Sequence, residues 1–132
     1  CETDRKQIAE LKRLAALIKS GDFSQTGARP MGIAVKAWRE WNAYRPAVAA
    51  QQMKRPFFVA QGGHDYQVTV KDFAGWQQHL AGRSNVTFYT CDDCNHLFVK
   101  SKHFSTPDEY DIPGNVAVEV IARLAGWIKS QP

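Results

Sequence analysis

Asp65 and His96 are the two side chains whose types and surroundings could share a proton-transfer task. Asp65 closes the run Gly62-Gly63-His64-Asp65, directly after an apolar stretch, and His96 ends Asn95-His96, shortly after a β-branched and aromatic one. A carboxylate that accepts a hydrogen bond from imidazole Nδ1 fixes the tautomer and stabilises the imidazolium. Nε2 is then left to act first as general base and afterwards as general acid. Isolated Asp and His residues in loops are more often structural than catalytic, so the elements around them must be able to bring them together.

Pro56-Phe57-Phe58-Val59-Ala60-Gln61 is a short continuous apolar run bounded by Pro and Gly, the pattern of a strand buried on both faces in a parallel sheet. Gly62-Gly63 ends it and frees the backbone for a tight turn that aims His64 and Asp65 past its carboxyl end. Thr69 with Asp72 three residues on forms a capping box with the shorter acid. It opens a helix whose apolar face is Val70, Phe73, Trp76 and Leu80 and whose end is followed by Gly82. Residues 85–90, Asn-Val-Thr-Phe-Tyr-Thr, form a second strand by propensity and length. Strand, helix, strand is a βαβ crossover, right-handed by default, with parallel and adjacent strands. Neighbouring strands lie about 4.8 Å apart, so Asp65 and His96 leave the same rim, the edge where ligand sites of open α/β sheets sit.

The flanking segments are helical. Ile8, Leu11, Leu14, Ala15, Leu17 and Ile18 line one face of a helix over 3–20, with Gly21 as its C-terminal cap. Residues 21–30 are a loop. A second helix over 33–44 carries Ala34, Ala37, Trp38, Trp41 and Tyr44 on one face until Pro46 interrupts or ends it. That aromatic stripe is core packing on the commoner reading and an aromatic wall over a binding cleft on the sharper one. Residues 100–114 are a loop with room for one helical turn. Asn115 caps a final helix whose face Ala117, Val120, Ile121, Leu124 and Ile128 lies across the sheet.

The bounds from composition agree with one globular domain: 132 residues, 44% apolar and 11% aromatic, leave room for a sizeable core. A formal charge of +4 spread along the chain is a solvated surface, and lacks the clustered Lys/Arg with interleaved aromatics of a nucleic-acid footprint. No run approaches the roughly 18 apolar residues of a membrane span and no signal segment opens the chain. The expectation is a soluble protein, with the cytoplasm preferred to secretion. Cys1 in first position admits a lipid-bearing start, although an abrupt beginning has commoner causes.

Cys91-Asp92-Asp93-Cys94-Asn95-His96 offers a rival chemistry, two thiols and an imidazole within six residues. A zinc site needs three or four ligands, and no second C-x-x-C or paired His completes one. A redox C-x-x-C usually sits at a helix N-terminus, and this one follows a strand. Three cysteines also argue against a disulfide framework. The preferred reading is two incidental loop cysteines, with no metal and no cofactor. His64 reads as a turn residue, His79 as exposed and His103 as a loop residue.

The run from Arg55 through Gln61-Gly62-Gly63-His64-Asp65-Tyr66-Gln67-Val68-Thr69, with Asp72-Phe73, Trp76, Asn85-Val86 and Asn95-His96-Leu97-Phe98, resembles the C-terminal part of an α/β-hydrolase. More narrowly it is similar to bacterial esterase/lysophospholipase-like hydrolases with a helical lid before this segment. The resemblance is specific from Pro56 to Phe98 and extends to the final helix through Pro107-Asp108-Glu109-Tyr110. Over residues 1–50 it is only positional. It implies that Asp65 is the triad acid and His96 the triad base; Trp38, Trp41, Tyr66 and Phe98 are expected beside them as substrate contacts. It implies a helical lid segment over 1–52, the C-terminal part of the catalytic domain over 53–132, and a small ester or acyl substrate.

The chain departs from that family in lacking the G-x-S-x-G elbow that carries the nucleophile. Its nearest match, Gly82-Arg83-Ser84-Asn85-Val86, lacks the last glycine and precedes a strand; Ser20, Ser24, Ser101, Ser105 and Ser130 have no elbow context. The reading is a fragment of a serine hydrolase, inactive alone, that associates with itself through the bare edge of its first strand or by exchange of lid helices. A non-catalytic binding or assembly module with a hydrolase-like remnant is the alternative.

Overall fold

Alternation along two short strands decides which helix covers which face. The computed structural model describes residues 2–21, 29 and 32–132. Its elements are α1 (Glu2–Ser20), α2 (Val35–Ala43), α3 (Pro46–Gln51), β1 (Phe57–Gly62), α4 (Val70–His79), β2 (Val86–Cys91), a 3-10 turn over Pro107–Asp111 and α5 (Val118–Lys129). The chain divides into two compact units, Cys1–Pro46 and Ala47–Pro132.

In the first unit Asn42 Nδ2 donates to the Ile18 carbonyl at 2.5 Å, tying α2 to the end of α1. Trp38 and Trp41 pack edge to face, centroids 5.2 Å apart. Leu14, Leu17 and Ile18 are half-buried, while Ile8 and Leu11 are exposed. Of the loop expected over 21–30, residues 22–28, with Ser24, and residue 30 lie outside the described residues, as does Cys1.

In the second unit β1 and β2 pair in parallel, from Phe57 opposite Val86 to Gly62 opposite Cys91, with α4 between them in sequence. Phe57 meets Trp76 and Phe88 meets Phe73, so α4 covers the face those two strand residues share. Phe58 meets Trp127, and Arg123 lies over the Tyr89 ring, so α5 covers the opposite face. The result is a mixed α/β unit with a helix on each side of a two-stranded parallel sheet. Beneath the carboxyl rim, Cys91, Cys94, Ala117 and Val120 form a buried cluster, with Tyr89 and Phe98 packed against it.

The cap of α4 follows the expected pattern: the Asp72 carboxylate accepts from the Thr69 backbone N–H at 2.8 Å and from its hydroxyl at 2.9 Å. Of the two expectations for Pro46 the interruption holds: α2 ends at Ala43 and Pro46 begins α3, where its missing N–H costs nothing and its fixed φ suits the first turn. Two features differ from expectation. The final helix starts at Val118 with Ala117 as its N-cap, not at Asn115. Val116 is bridged to Val99, and the Ala117 N–H donates to the Phe98 carbonyl at 2.8 Å, which holds 116–117 extended. Of the expected face only Ala117 and Val120 are buried; Ile121, Leu124 and Ile128 are 55%, 40% and 57% exposed.

The turn after β1 packs on the turn after β2 through backbone. A Cβ on Gly62 would lie 2.5 Å from the carbonyl oxygens of both Cys94 and Asn95. A Cβ on Gly63 would lie 2.7 Å from Asp92 Cα and closer still to its carbonyl oxygen. The Gly63 N–H donates to the Cys91 carbonyl at 2.8 Å and the His64 N–H to the Cys94 carbonyl at 2.9 Å. Gly62→Ala is expected to destabilise by about 1–3 kcal/mol in urea unfolding, the range for overpacking. Gly75→Ala, in mid-α4 with nothing within 4 Å of its Cβ position, is expected to stabilise by about 0.5–1 kcal/mol.

Candidate active site

That contact between turns sets the position of Asp65. Its side chain is buried, 4% exposed for the residue as a whole, and is fully used as an acceptor. Oδ1 accepts from the backbone N–H groups of Gln67 at 2.8 Å and Val68 at 3.0 Å. Oδ2 accepts from His96 Nδ1 at 2.8 Å, with Gln61 Nε2 at 3.4 Å. Gln61, also buried, donates to the Gly62 and Val68 carbonyls at 2.8 Å each and so braces both ends of the Asp65 turn. Burial pushes the Asp65 carboxyl up, but the bonds from Val68, His96 and Gln67 outweigh it and hold its pKa below the ordinary value.

His96 stands at the rim with a side chain 38% exposed. Since the ionised Asp65 carboxylate can only accept, the shared proton belongs to Nδ1 and the lone pair to Nε2. Among the described residues Nε2 has no hydrogen-bond partner. A base with its tautomer fixed by a buried carboxylate and its working nitrogen accessible can take a proton from a hydroxyl and return it to a leaving group.

The other residues singled out in the sequence make contacts of their own. Tyr66 stacks on Tyr110, centroids 5.8 Å apart. Phe98 packs on the buried cluster beneath the rim and has φ of 56°, a left-handed conformation uncommon for a bulky residue. Trp38 and Trp41 belong to the first unit. His64 is occupied by the loop that follows: its Nδ1 donates to the Ser101 carbonyl at 3.0 Å, and its own carbonyl accepts from the Ser105 N–H and hydroxyl at 2.8 and 2.6 Å. Exposed His79 has its Nδ1 2.8 Å from the Gly75 carbonyl in α4, and His103 is exposed.

The cysteines require a correction. Cys91 and Cys94 are joined as a disulfide and are 4% and 0% exposed, part of the core rather than incidental loop residues. Cys91 ends β2 and Cys94 bridges to Lys100, so strand pairing buries both sulfurs. Ligand atoms of Cys91, Asp93 and Cys94 lie within 4.8 Å of one another. The sulfurs are bonded to each other, however, whereas zinc takes thiolates, and Asp93 is paired with Lys100 at 2.7 Å.

The roles of Gln61, Asn95 and Ser105 were missed from the sequence. All three are buried polar residues whose side chains bond mainly to backbone groups of the turns around the site. An Asn directly before the candidate base does carry a recognisable turn propensity.

A parallel βαβ unit with a hydrogen-bonded Asp–His pair at its carboxyl rim is the class of structure these observations define. The chain is similar to "Esterase EstD" of Thermotoga maritima, with 38% identity over 98 residues, which is 74% of this chain and 24% of that protein. The match thus spans about a quarter of that relative's length. No family model matches the chain, and no solved structure matches it significantly.

Asp65→Asn offers a direct test of the pairing. The new amide keeps an acceptor for the Gln67 and Val68 N–H groups but turns a donor toward His96. The imidazole is expected to switch its proton from Nδ1 to Nε2, read by two-dimensional 15N NMR, with a loss of about 1.5–3 kcal/mol at pH 7 for the charged hydrogen bond. Because the folded carboxyl titrates below its unfolded value, the unfolded chain takes up the proton first as pH falls. The wild type's advantage over Asp65→Asn is therefore full above about 3.9, the unfolded aspartate value, and shrinks as pH drops through the folded one.

Proposed function

We propose that this chain supplies the acid and base of a serine hydrolase of the α/β-hydrolase type, acting on carboxylic esters or thioesters and lysophospholipase-like in its narrower affinities. Its nucleophilic serine comes from a segment outside this sequence. Asp65 orients His96 and stabilises its protonated form. His96 Nε2 takes the serine proton as Oγ attacks the acyl carbon, delivers it to the departing alcohol or thiol, and repeats the cycle with water. Residues 53–132 would form the C-terminal part of the catalytic domain and residues 1–52 a helical lid segment, with Trp38, Trp41, Tyr66 and Phe98 as candidate acyl contacts.

The observation that carries this reading is the 2.8 Å Asp65–His96 bond, supported by similarity to a protein named as an esterase. This chain alone is expected to leave p-nitrophenyl acetate at the buffer rate. A longer polypeptide containing it, with a G-x-S-x-G elbow upstream, should hydrolyse that ester, and His96→Ala there should lower kcat/KM by at least about 10³-fold. A longer polypeptide without an elbow, or a fully active His96→Ala, would sink the idea.

Among the described residues β1 pairs on one side only. An apolar strand edge left open is a template for another chain, so the isolated chain is proposed to self-associate through it or by exchange of its N-terminal helices. Sedimentation should give a dimer or larger species, and a clean monomer at high concentration would count against this.

A further inference from the structure

We propose that Asn95 is the positioning residue for His96, an assignment that rests on His96 being the base of the site described above. The carboxamide of Asn95 is buried, the residue being 3% exposed, and its Oδ1 accepts from two backbone N–H groups, Leu97 at 3.0 Å and Val99 at 3.1 Å. Its backbone closes the same loop, with the Asn95 N–H donating to the Val99 carbonyl and the Phe98 N–H to the Asn95 carbonyl, each at 2.9 Å. Four bonds from one residue thus fold 95–99 into a knot with His96 at its outer corner. His96 contributes one bond to the site, Nδ1 to Asp65, which fixes the ring only if its backbone is already placed.

Two surroundings make the knot depend on that side chain. Phe98 is held at φ 56°, a conformation the peptide alone would leave, so something must over-determine the turn. The Asn95 side chain receives the amides on both sides of it, Leu97 and Val99. The knot's other face is anchored independently: Phe98 packs on the core cluster and its carbonyl accepts from Ala117 at 2.8 Å. Loss of the Asn95 acceptor should therefore free the His96 corner while the sheet and helices stay in place.

The test reads the imidazole itself by NMR of this chain, through the low-field Nδ1 proton and the ring 15N shifts. Wild type is expected to show a protected Nδ1 proton and a single tautomer. Asn95→Ala should lose the proton and average the tautomers while the amide spectrum of β1, β2, α4 and α5 is unchanged. Asn95→Asp, which keeps an acceptor oxygen at the same reach, should restore both signals. Retention of the Nδ1 proton in Asn95→Ala would overturn the proposal and leave the acid–base pair intact. Absence of that proton from wild type would instead overturn the pair. Should Asn95→Ala unfold, Asn95→Ser takes its place: its shorter hydroxyl should lose the signal that Asn95→Asp keeps, and identical imidazole spectra for the two would refute the role.

Discussion

Everything at the rim depends on two turns touching through bare backbone. Gly62 and Gly63 lie so near the carbonyls of Asp92, Cys94 and Asn95 that a single added methyl group would overlap them. Amides of the first turn bond carbonyls of the second. Parallel strands at their ordinary spacing place two loops near each other without deciding how near. A side chain at either glycine would hold the loops apart, and a hydrogen bond as short as that between Asp65 and His96 tolerates little separation.

Burial then turns contact into chemistry. A carboxylate taken out of water is costly unless its lone pairs are used, and Asp65 meets that condition with two backbone amides and an imidazole. The same bonds keep it ionised and so dictate which nitrogen of His96 holds the proton. Gln61 and Asn95 perform parallel tasks on the two turns, each a buried amide tying backbone groups that strand ladders do not reach. The disulfide between Cys91 and Cys94 lies at the root of the second turn, inside the cluster on which Phe98 rests.

The crossover was legible because its signals are local: an apolar run stopped by two glycines, a Thr–Asp cap, a β-branched run of strand length. The rest turns on contacts that no local pattern encodes. The start of α5 was misplaced because Val116 bonds to a distant strand-like segment at Val99, a long-range claim on residues that otherwise suit a helix. The cysteine spacing cannot by itself distinguish a bridged pair from two loop thiols, since burial at the end of β2 decides it. Proline at 46 signals a break from either side equally well. The adjacency of Asp65 and His96 followed from topology, but the amides that hold the two in register come from Gln61 and Asn95, whose partners are mostly backbone groups.

The proposed role of the Asp65–His96 pair requires a serine nucleophile beside it. The most direct measurement is a crystal structure of a longer polypeptide carrying this sequence after reaction with an alkyl fluorophosphonate. The account predicts a phosphonylated serine whose Oγ lies within about 3.2 Å of His96 Nε2, with Asp65 still bonded to Nδ1. A labelled serine remote from His96, or a protein that takes up no label, would contradict it.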